Sequence, residues 1–293
     1  MAEENSISEK TTPETWDKMK NKQYLSALAL AGAFTASSAL AGPYVPPVVE
    51  EVPPPPMPPP PAPEAADGLG ANISVGYNTD YIWRGSNFGR DQVWADVNMD
   101  INITDEFVIN FGAWYSDIAG DNKGGNFIDL FADQELDLYA SADLTLGWFD
   151  FSVGYTYYWF DEHFDDFHEA SIGTGVTFWN INVGLTYYYE FTESNHWVEL
   201  TADTSFALTD NINLVPGVMV SYLDGNHNVF NPFMPSDEGM HNAGASLALE
   251  IALTDTATLV PYVAYSYDLD TLKDLNNKTN DYFYGGISLN VSF

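Results

Sequence analysis

From Asn72 onward the chain alternates between apolar and polar positions. Ile73, Val75, Tyr77, Thr79, Tyr81 and Trp83 stand at every second position against Asn72, Ser74, Gly76, Asn78, Asp80, Ile82 and Arg84. Val93, Ala95, Val97, Met99, Ile101 and Ile103 oppose Gln92, Trp94, Asp96, Asn98, Asp100 and Asn102 in the same way. Successive side chains of an extended strand point to opposite faces, so the pattern predicts strands with one apolar and one polar face. It recurs at 107–117, 133–146, 149–160, 168–178, 181–192, 197–208, 212–222, 242–253, 257–267 and 282–293, which makes twelve strands. No stretch beyond residue 41 has the roughly eighteen apolar residues of a membrane helix, and no long segment keeps a 3.6-residue period.

The connections alternate in length. Thr104-Asp105-Glu106, Gly147-Trp148, Trp179-Asn180, Thr209-Asp210-Asn211 and Thr254-Asp255-Thr256 are short turns, whereas 118–132, 223–241 and 268–281 are longer loops. Short turns at one end and long loops at the other describe an outer-membrane barrel. TDNINLVPGVMVSY (209–222) aligns without a gap to TDTATLVPYVAYSY (254–267), and VGYTYY (153–158) to VGLTYY (183–188), as a repeated hairpin would. Pro216 and Pro261 fall inside two of these strands on the apolar parity; proline lacks a ladder donor, so local bulges are expected there.

Twelve antiparallel strands could also form a secreted sandwich with the apolar face as its core. The aromatic residues argue for a membrane instead. On the apolar parity Tyr77, Tyr81, Trp83, Tyr115, Tyr155, Tyr157, Trp159, Tyr187, Tyr189, Tyr222, Tyr265 and Tyr267 cluster towards the long-loop ends, and Phe107, Phe149, Phe178, Phe206 and Phe293 towards the short-turn ends. Aliphatic residues hold much of the middle, and two aromatic girdles around an aliphatic band are the mark of a lipid-facing surface. The expected fold is therefore all-β: a transmembrane antiparallel up-and-down β-barrel of about twelve strands, spanning 70–293 and surrounded by outer-membrane lipid.

The segments before the barrel fit that destination. Residues 19–41 combine a basic start, an apolar run from Tyr24 to about Phe34 and a small-residue end at Ala39-Leu40-Ala41, the three parts of a secretory signal peptide. The acidic lead 1–18 is foreign to such a signal and reads as an over-extended start. Residues 42–69 form a proline-rich periplasmic linker: 12 of the 17 prolines lie in 43–63, which predicts a polyproline II spacer of roughly 3 Å per residue. A passive linker is the simpler reading, a docking segment for a periplasmic partner the other. The last stretch, YGGISLNVSF, ends on Phe293, as the closing strand of an outer-membrane barrel does.

Composition sharpens the function. The chain has 9 Lys+Arg against 42 Asp+Glu, a net charge of −33 and no cysteine. Electrostatic nucleic-acid binding, disulfide scaffolds, thiolate metal sites and cysteine nucleophiles are thereby excluded. By parity the inward face carries Asp80, Asp96, Asp100, Glu135, Asp137, Asp143, Asp150, Glu190, Glu199, Asp203 and Glu250, with Arg84 as its one base. Unpaired carboxylates in a dry interior would cost several kcal/mol each or take up protons, so they favour a hydrated lumen. Water with a lining of one sign concentrates cations and repels anions. Inward Gly76, Gly112, Gly154, Gly184, Gly217, Gly244 and Gly286 are small enough to leave room for such a path.

The reading is a porin-like diffusion channel of the cell outer membrane that prefers small cationic or neutral solutes, with no enzymatic activity and no cofactor. Asp80, Asp96, Asp137, Glu190 and Glu199 are the candidate selectivity ring, with Asp100, Asp143, Asp203 and Glu250 nearer the periplasmic mouth. The competing view is that these acids hydrogen-bond to Asn, Ser, Thr and Tyr neighbours in a plugged barrel, or reflect a salt-adapted composition. The loop acids DEHFDD (161–166) lack a fixed ligand spacing and read as solvated surface rather than a Ca²⁺ or Mg²⁺ site. The five histidines, His163, His168, His196, His227 and His241, read as surface residues of the longer loops.

The segment NISVGYNTDYIWRGSNFGRDQ (72–92) resembles the opening of the TorF-like porins, exported proteins of Gram-negative bacteria. Their TDY-aromatic-RG motif is matched by Thr79, Asp80, Tyr81, Ile82, Trp83, Arg84 and Gly85, and the hairpin rhythm extends the likeness loosely over 70–293. The resemblance implies an outer-membrane barrel with porin function; the proline-rich segment departs from it. Asp80 and Arg84 share parity roughly 13 Å apart along an extended strand, so they either bracket the outer pore or pair with neighbouring strands. Two other functions stay open: a structural barrel that anchors the envelope or displays adhesive loops, and an outer-membrane hydrolase using His196 near Ser194 or His168 near Glu169.

Overall fold

The computed structural model describes residues 70–120, 134–161, 166–192, 194–225, 237–271 and 281–293. The leader, the proline-rich segment, His163, His227 and the core of the DEHFDD loop lie outside these residues.

Thirteen strands succeed one another along the chain: β1 (Ala71–Trp83), β2 (Ser86–Asn102), β3 (Phe107–Ile118), β4 (Gln134–Leu146), β5 (Phe149–Phe160), β6 (Phe167–Phe178), β7 (Ile181–Glu190), β8 (Asn195–Thr204), β9 (Phe206–Thr209), β10 (Ile212–Gly225), β11 (Asp237–Ala252), β12 (Ala257–Asp268) and β13 (Tyr282–Ser292). Each pairs antiparallel with its neighbours, and β1 pairs with β13 from Asn72↔Ser292 to Asn78↔Gly286. The sheet is therefore closed. β8 and β9 both pair with β10 and are separated only at Ser205, so they form one interrupted barrel strand and the barrel has twelve. A closed antiparallel sheet satisfies its backbone donors and acceptors within itself, the condition for spanning hydrocarbon with strands.

The two prolines explain the interruption, but not by bulging. Leu214↔Phe206 and Gly217↔Asp203 share one register on either side of Pro216. Ala248↔Tyr262 and Ile251↔Leu259 likewise share one register on either side of Pro261. The expected bulges are absent; each proline instead leaves a gap in the ladder to the preceding strand, because it has no N–H to offer. The other ladder continues through each of them, Pro216↔Leu247 and Pro261↔Ile287. Register shifts occur elsewhere, at Tyr81/Ile82 between β1 and β2, at Val220/Tyr222 between β10 and β11 and at Ile212/Asn213 between β10 and β9.

The outer surface is apolar. Val75, Val97, Val153, Ile172, Leu185, Leu200, Val218, Leu247, Val263 and Ile287 are all exposed on it. At the short-turn end Phe149, Phe178, Phe206 and Phe293 are exposed with Trp148 and Trp179. At the opposite end Tyr77, Tyr115, Tyr155, Trp159, Tyr187, Tyr222, Tyr265 and Tyr267 are exposed. Several of these tyrosines turn their hydroxyls to a polar partner: Tyr77 to Asp91 at 2.5 Å, Tyr265 to Asp281 at 2.8 Å, and Tyr155 and Tyr187 to the Nδ1 atoms of His168 and His196 at 2.6 Å. An apolar ring body with a satisfied polar tip suits a membrane–water interface. Tyr81 and Trp83 do not belong to this girdle. Both are buried, at 5% and 4% exposure, because beyond the Tyr81/Ile82 bulge the β1–β2 hairpin leaves the wall and strand parity no longer reports inside from outside.

Depth within the lipid band sets the cost of a charge on this surface. Leu200, cross-strand from Leu185 and Val220 in the aliphatic band, is expected to lose about 2–4 kcal/mol of barrel stability when replaced by Arg, and turn residue Trp179 about 1 kcal/mol or less. Urea unfolding in lipid vesicles measures both.

Candidate functional site

The lumen divides into two halves. Towards the short turns it is lined by half-exposed polar side chains. Asp96 accepts hydrogen bonds from Asn98 Nδ2 at 2.6 Å and from the Tyr139 hydroxyl at 2.8 Å. Asp100 accepts from Asn110 at 2.6 Å, Asp143 from Ser141 at 2.7 Å, Asp150 from Thr145 at 2.7 Å and Asp203 from Asn182 at 2.9 Å. All these donors are neutral. They orient the carboxylates without cancelling their charge, so the inward face towards the short turns carries a lining of one sign. Glu250 also faces inward but is buried, at 3% exposure.

Several inward glycines are not the open space that their smallness suggests. A Cβ on Gly76 would run into the Trp94 ring, one on Gly112 would lie 2.5 Å from the Tyr139 ring and one on Gly286 2.7 Å from the Tyr262 ring. These glycines are seats for inward aromatic side chains.

The half towards the loops is filled. The β1–β2 hairpin turns at Arg84 and Gly85, both with positive φ (47° and 78°), as a two-residue hairpin turn of primed type requires. Phe88 is the extra residue of the adjoining bulge, and its ring packs on Tyr81 and Trp83 at 5.4 and 5.7 Å. The tip then crosses the lumen. β7 lies six strands from β1 around the twelve-stranded ring, and Arg84 reaches β6, β7, β8 and β11. Its Nη2 donates to Glu169 Oε2 at 2.7 Å. Its Cζ stands 4.6, 5.1 and 4.8 Å from the ring centres of Trp83, Tyr188 and Trp197. His241 Nε2 meets the Arg84 carbonyl at 3.0 Å while Nδ1 meets Thr271 Oγ1 at 2.7 Å. Tyr158 and Phe167, stacked at 4.3 Å, cluster with Trp83 and Ile118, and Leu223 clusters with Tyr188 and Trp197. A buffer of amides and hydroxyls, Asn78–Gln92–Ser116 and Ser221–Asn242–Ser266, fills the layer alongside, all of it buried.

The candidate acids thus separate by depth. Asp96, Asp100, Asp143 and Asp203 line the chamber, whereas Glu135, Asp137 and Glu190 are buried at 8%, 6% and 2% exposure in the filled half. Glu190 is held there by the Thr192 backbone N–H and by Asn195. Glu199 lies between, cross-strand from Thr186 and Ser221. The expected ring of Asp80, Asp96, Asp137, Glu190 and Glu199 therefore does not lie at a single level. Asp80 and Arg84 are not partners: Asp80 accepts from Asn87 at 3.1 Å and faces Arg90 at 3.8 Å.

Two residues central to this arrangement do not stand out in the sequence. Glu169 lies within the expected strand 168–178 and shares the inward face with Ser171 and Gly173, so that strand's parity finds it. His241, which reads as a surface histidine, is buried at 1% exposure with its ring 4.8 Å from that of Trp197. The candidate hydrolase pairs are not assembled. His168 turns outward to Tyr155 while Glu169 faces inward, and Ser194 Oγ accepts from Tyr189 at 3.4 Å while His196 meets Tyr187. Among the described residues no group of three or more His, Asp or Glu side chains is placed to hold a metal ion.

No family model matches the chain, and no curated protein matches it in sequence. Among solved structures the barrel is similar to LpxR from Salmonella typhimurium (9% identity, 76% of this chain and 100% of that one, TM-score 0.47). It is similar also to the KdgM porin (10% identity, 76% and 99%, TM-score 0.46) and the NanC porin (9%, 76% and 98%, TM-score 0.44).

Removing Arg84 would strand the Glu169 carboxylate in a buried layer, and breaking such a pair costs about 3–5 kcal/mol. Arg84→Ala is therefore expected to destabilise the barrel by that amount in urea titrations. Adding Glu169→Gln to it should recover part of the loss, since no charge is then left unpaired.

Proposed function

We propose that the chain is a cation-preferring channel of the outer membrane, admitting small cationic or neutral solutes through its acidic lumen. The observation that carries this reading is the chamber of Asp96, Asp100, Asp143, Asp150 and Asp203. Its carboxylates are hydrogen-bonded by neutral groups, half-buried and without an ion-pair partner among the described residues. Field lines from such a lining run through the enclosed water and raise the local concentration of cations. The likeness of residues 79–85 to the TorF-like porins agrees with this use of the barrel.

The packed half of the lumen supports a second reading, a closed barrel with a structural role in the envelope, anchored through the proline-rich segment or displaying its loops. Conductance separates the two. Residues 42–293 reconstituted in a planar bilayer under a KCl gradient are expected to show a reversal potential of cation-selective sign, weakened by joint replacement of Asp96, Asp143 and Asp203 by Asn. An anion-selective potential, or one unmoved by the three substitutions, would contradict the channel as described, and a silent barrel would favour the structural role.

A further inference from the structure

Arg84 is a ligand in all but covalent connection. Its guanidinium sits among three rings at 4.6–5.1 Å from its Cζ, inside the range of cation–π attraction. Glu169 adds a charge-assisted hydrogen bond of 2.7 Å. Glu190 is the cross-strand neighbour of Glu169 and is itself held by the Thr192 backbone N–H and Asn195.

The residue delivering this cation is tied to the wall in a particular way. Past the Tyr81/Ile82 bulge the hairpin pairs only with itself, Ile82↔Asn87 and Trp83↔Ser86. No ladder joins the tip to β6, β7 or β8. It is held by side chains on two sides: across the lumen by the Arg84–Glu169 pair, the His241 bond to the Arg84 carbonyl, and ring packing on Tyr158, Phe167, Tyr188 and Trp197, and on the other by Ile82 packed with Val260, Tyr262 and Tyr284. A two-stranded ribbon on its own is marginally stable, so the position of this one depends on these side-chain contacts, of which the socket supplies the polar and charged ones.

We propose that the Glu169–Tyr188–Trp197 socket is a guanidinium-recognition site, that Arg84 occupies it as an internal ligand and so closes the outer end of the lumen, and that guanidinium-bearing solutes compete for it. This deepens the channel reading and rests on it. Competition exchanges one guanidinium for another with the carboxylate still paired, so the ribbon swings clear without leaving a buried charge unmet.

The test is single-channel recording of the full barrel in planar bilayers with wild type, Arg84→Ala and Glu169→Gln, each first shown to be folded by its resistance to detergent unfolding. Both substitutions are expected to raise conductance several-fold. Millimolar methylguanidinium should raise the open fraction of the wild type, should lower the conductance of Arg84→Ala by refilling the vacated socket, and should leave Glu169→Gln unaffected; equal NaCl should do none of these. If Arg84→Ala does not fold, the Glu169→Gln and wild-type arms decide alone. Variants that conduct like a conducting wild type and ignore methylguanidinium would overturn the socket and leave the channel standing. Absence of conductance in every variant would remove the channel reading, and the gate with it.

Discussion

A sheet placed in hydrocarbon cannot have an edge, because each unpaired backbone group there costs several kcal/mol and no water is present to meet it. The pairing of β1 with β13 removes the edge here, and the rest of the architecture depends on that closure. Once the sheet is a ring, side-chain alternation becomes a division between lipid and lumen. Closure also fixes which residues can meet across the interior. It brings Arg84, at the tip of the first hairpin, opposite β6, β7 and β8, more than eighty residues away in sequence.

Inside the ring, charge is handled in two ways. In the chamber towards the short turns, carboxylates take one or two neutral donors and no charged partner among the described residues. The filled half is packed with Trp83, Phe88, Tyr158, Phe167 and Trp197, and the Arg84 guanidinium is set beside Glu169 within it. A carboxylate buried without such a partner would be forced towards its neutral form, so the aromatic packing and the Arg84–Glu169 pair depend on each other. The rings that exclude water are the same ones that receive the guanidinium.

Period-two alternation in the sequence is enough to place all twelve barrel strands, with Ser205 as the one break it does not register. It fails where the chain leaves the wall. Tyr81 and Trp83 carry outward parity by count, but the bulge at Phe88 turns the hairpin across the mouth, and a bulge has no reliable signature in an alternating stretch. The inward glycines mislead for a related reason: smallness shows in a sequence, whereas the ring of Trp94 or Tyr139 lying over it belongs to a neighbouring strand. His241 reads as a loop residue until the distant Arg84 carbonyl is set beside it. The inward parity of the acids is legible, and counting from the short turns separates Asp143 from Asp137; the burial that takes Glu190 and Glu250 out of an open lining is not, because it depends on side chains of distant strands.

The chain contains no cysteine, so a single introduced thiol reports its own surroundings. Ser141, half-exposed beside Asp143 in the chamber, and Ser116, at 1% exposure in the filled half, are both inward-facing. The most direct measurement is the rate at which Ser141→Cys and Ser116→Cys in the membrane-embedded barrel react with thiosulfonate reagents of positive and negative charge. A wet, cation-attracting chamber beneath a closed tip requires Ser141→Cys to react, faster with the cationic reagent, and Ser116→Cys to be protected. Equal rates for the two reagents, or a protected Ser141→Cys, would contradict it.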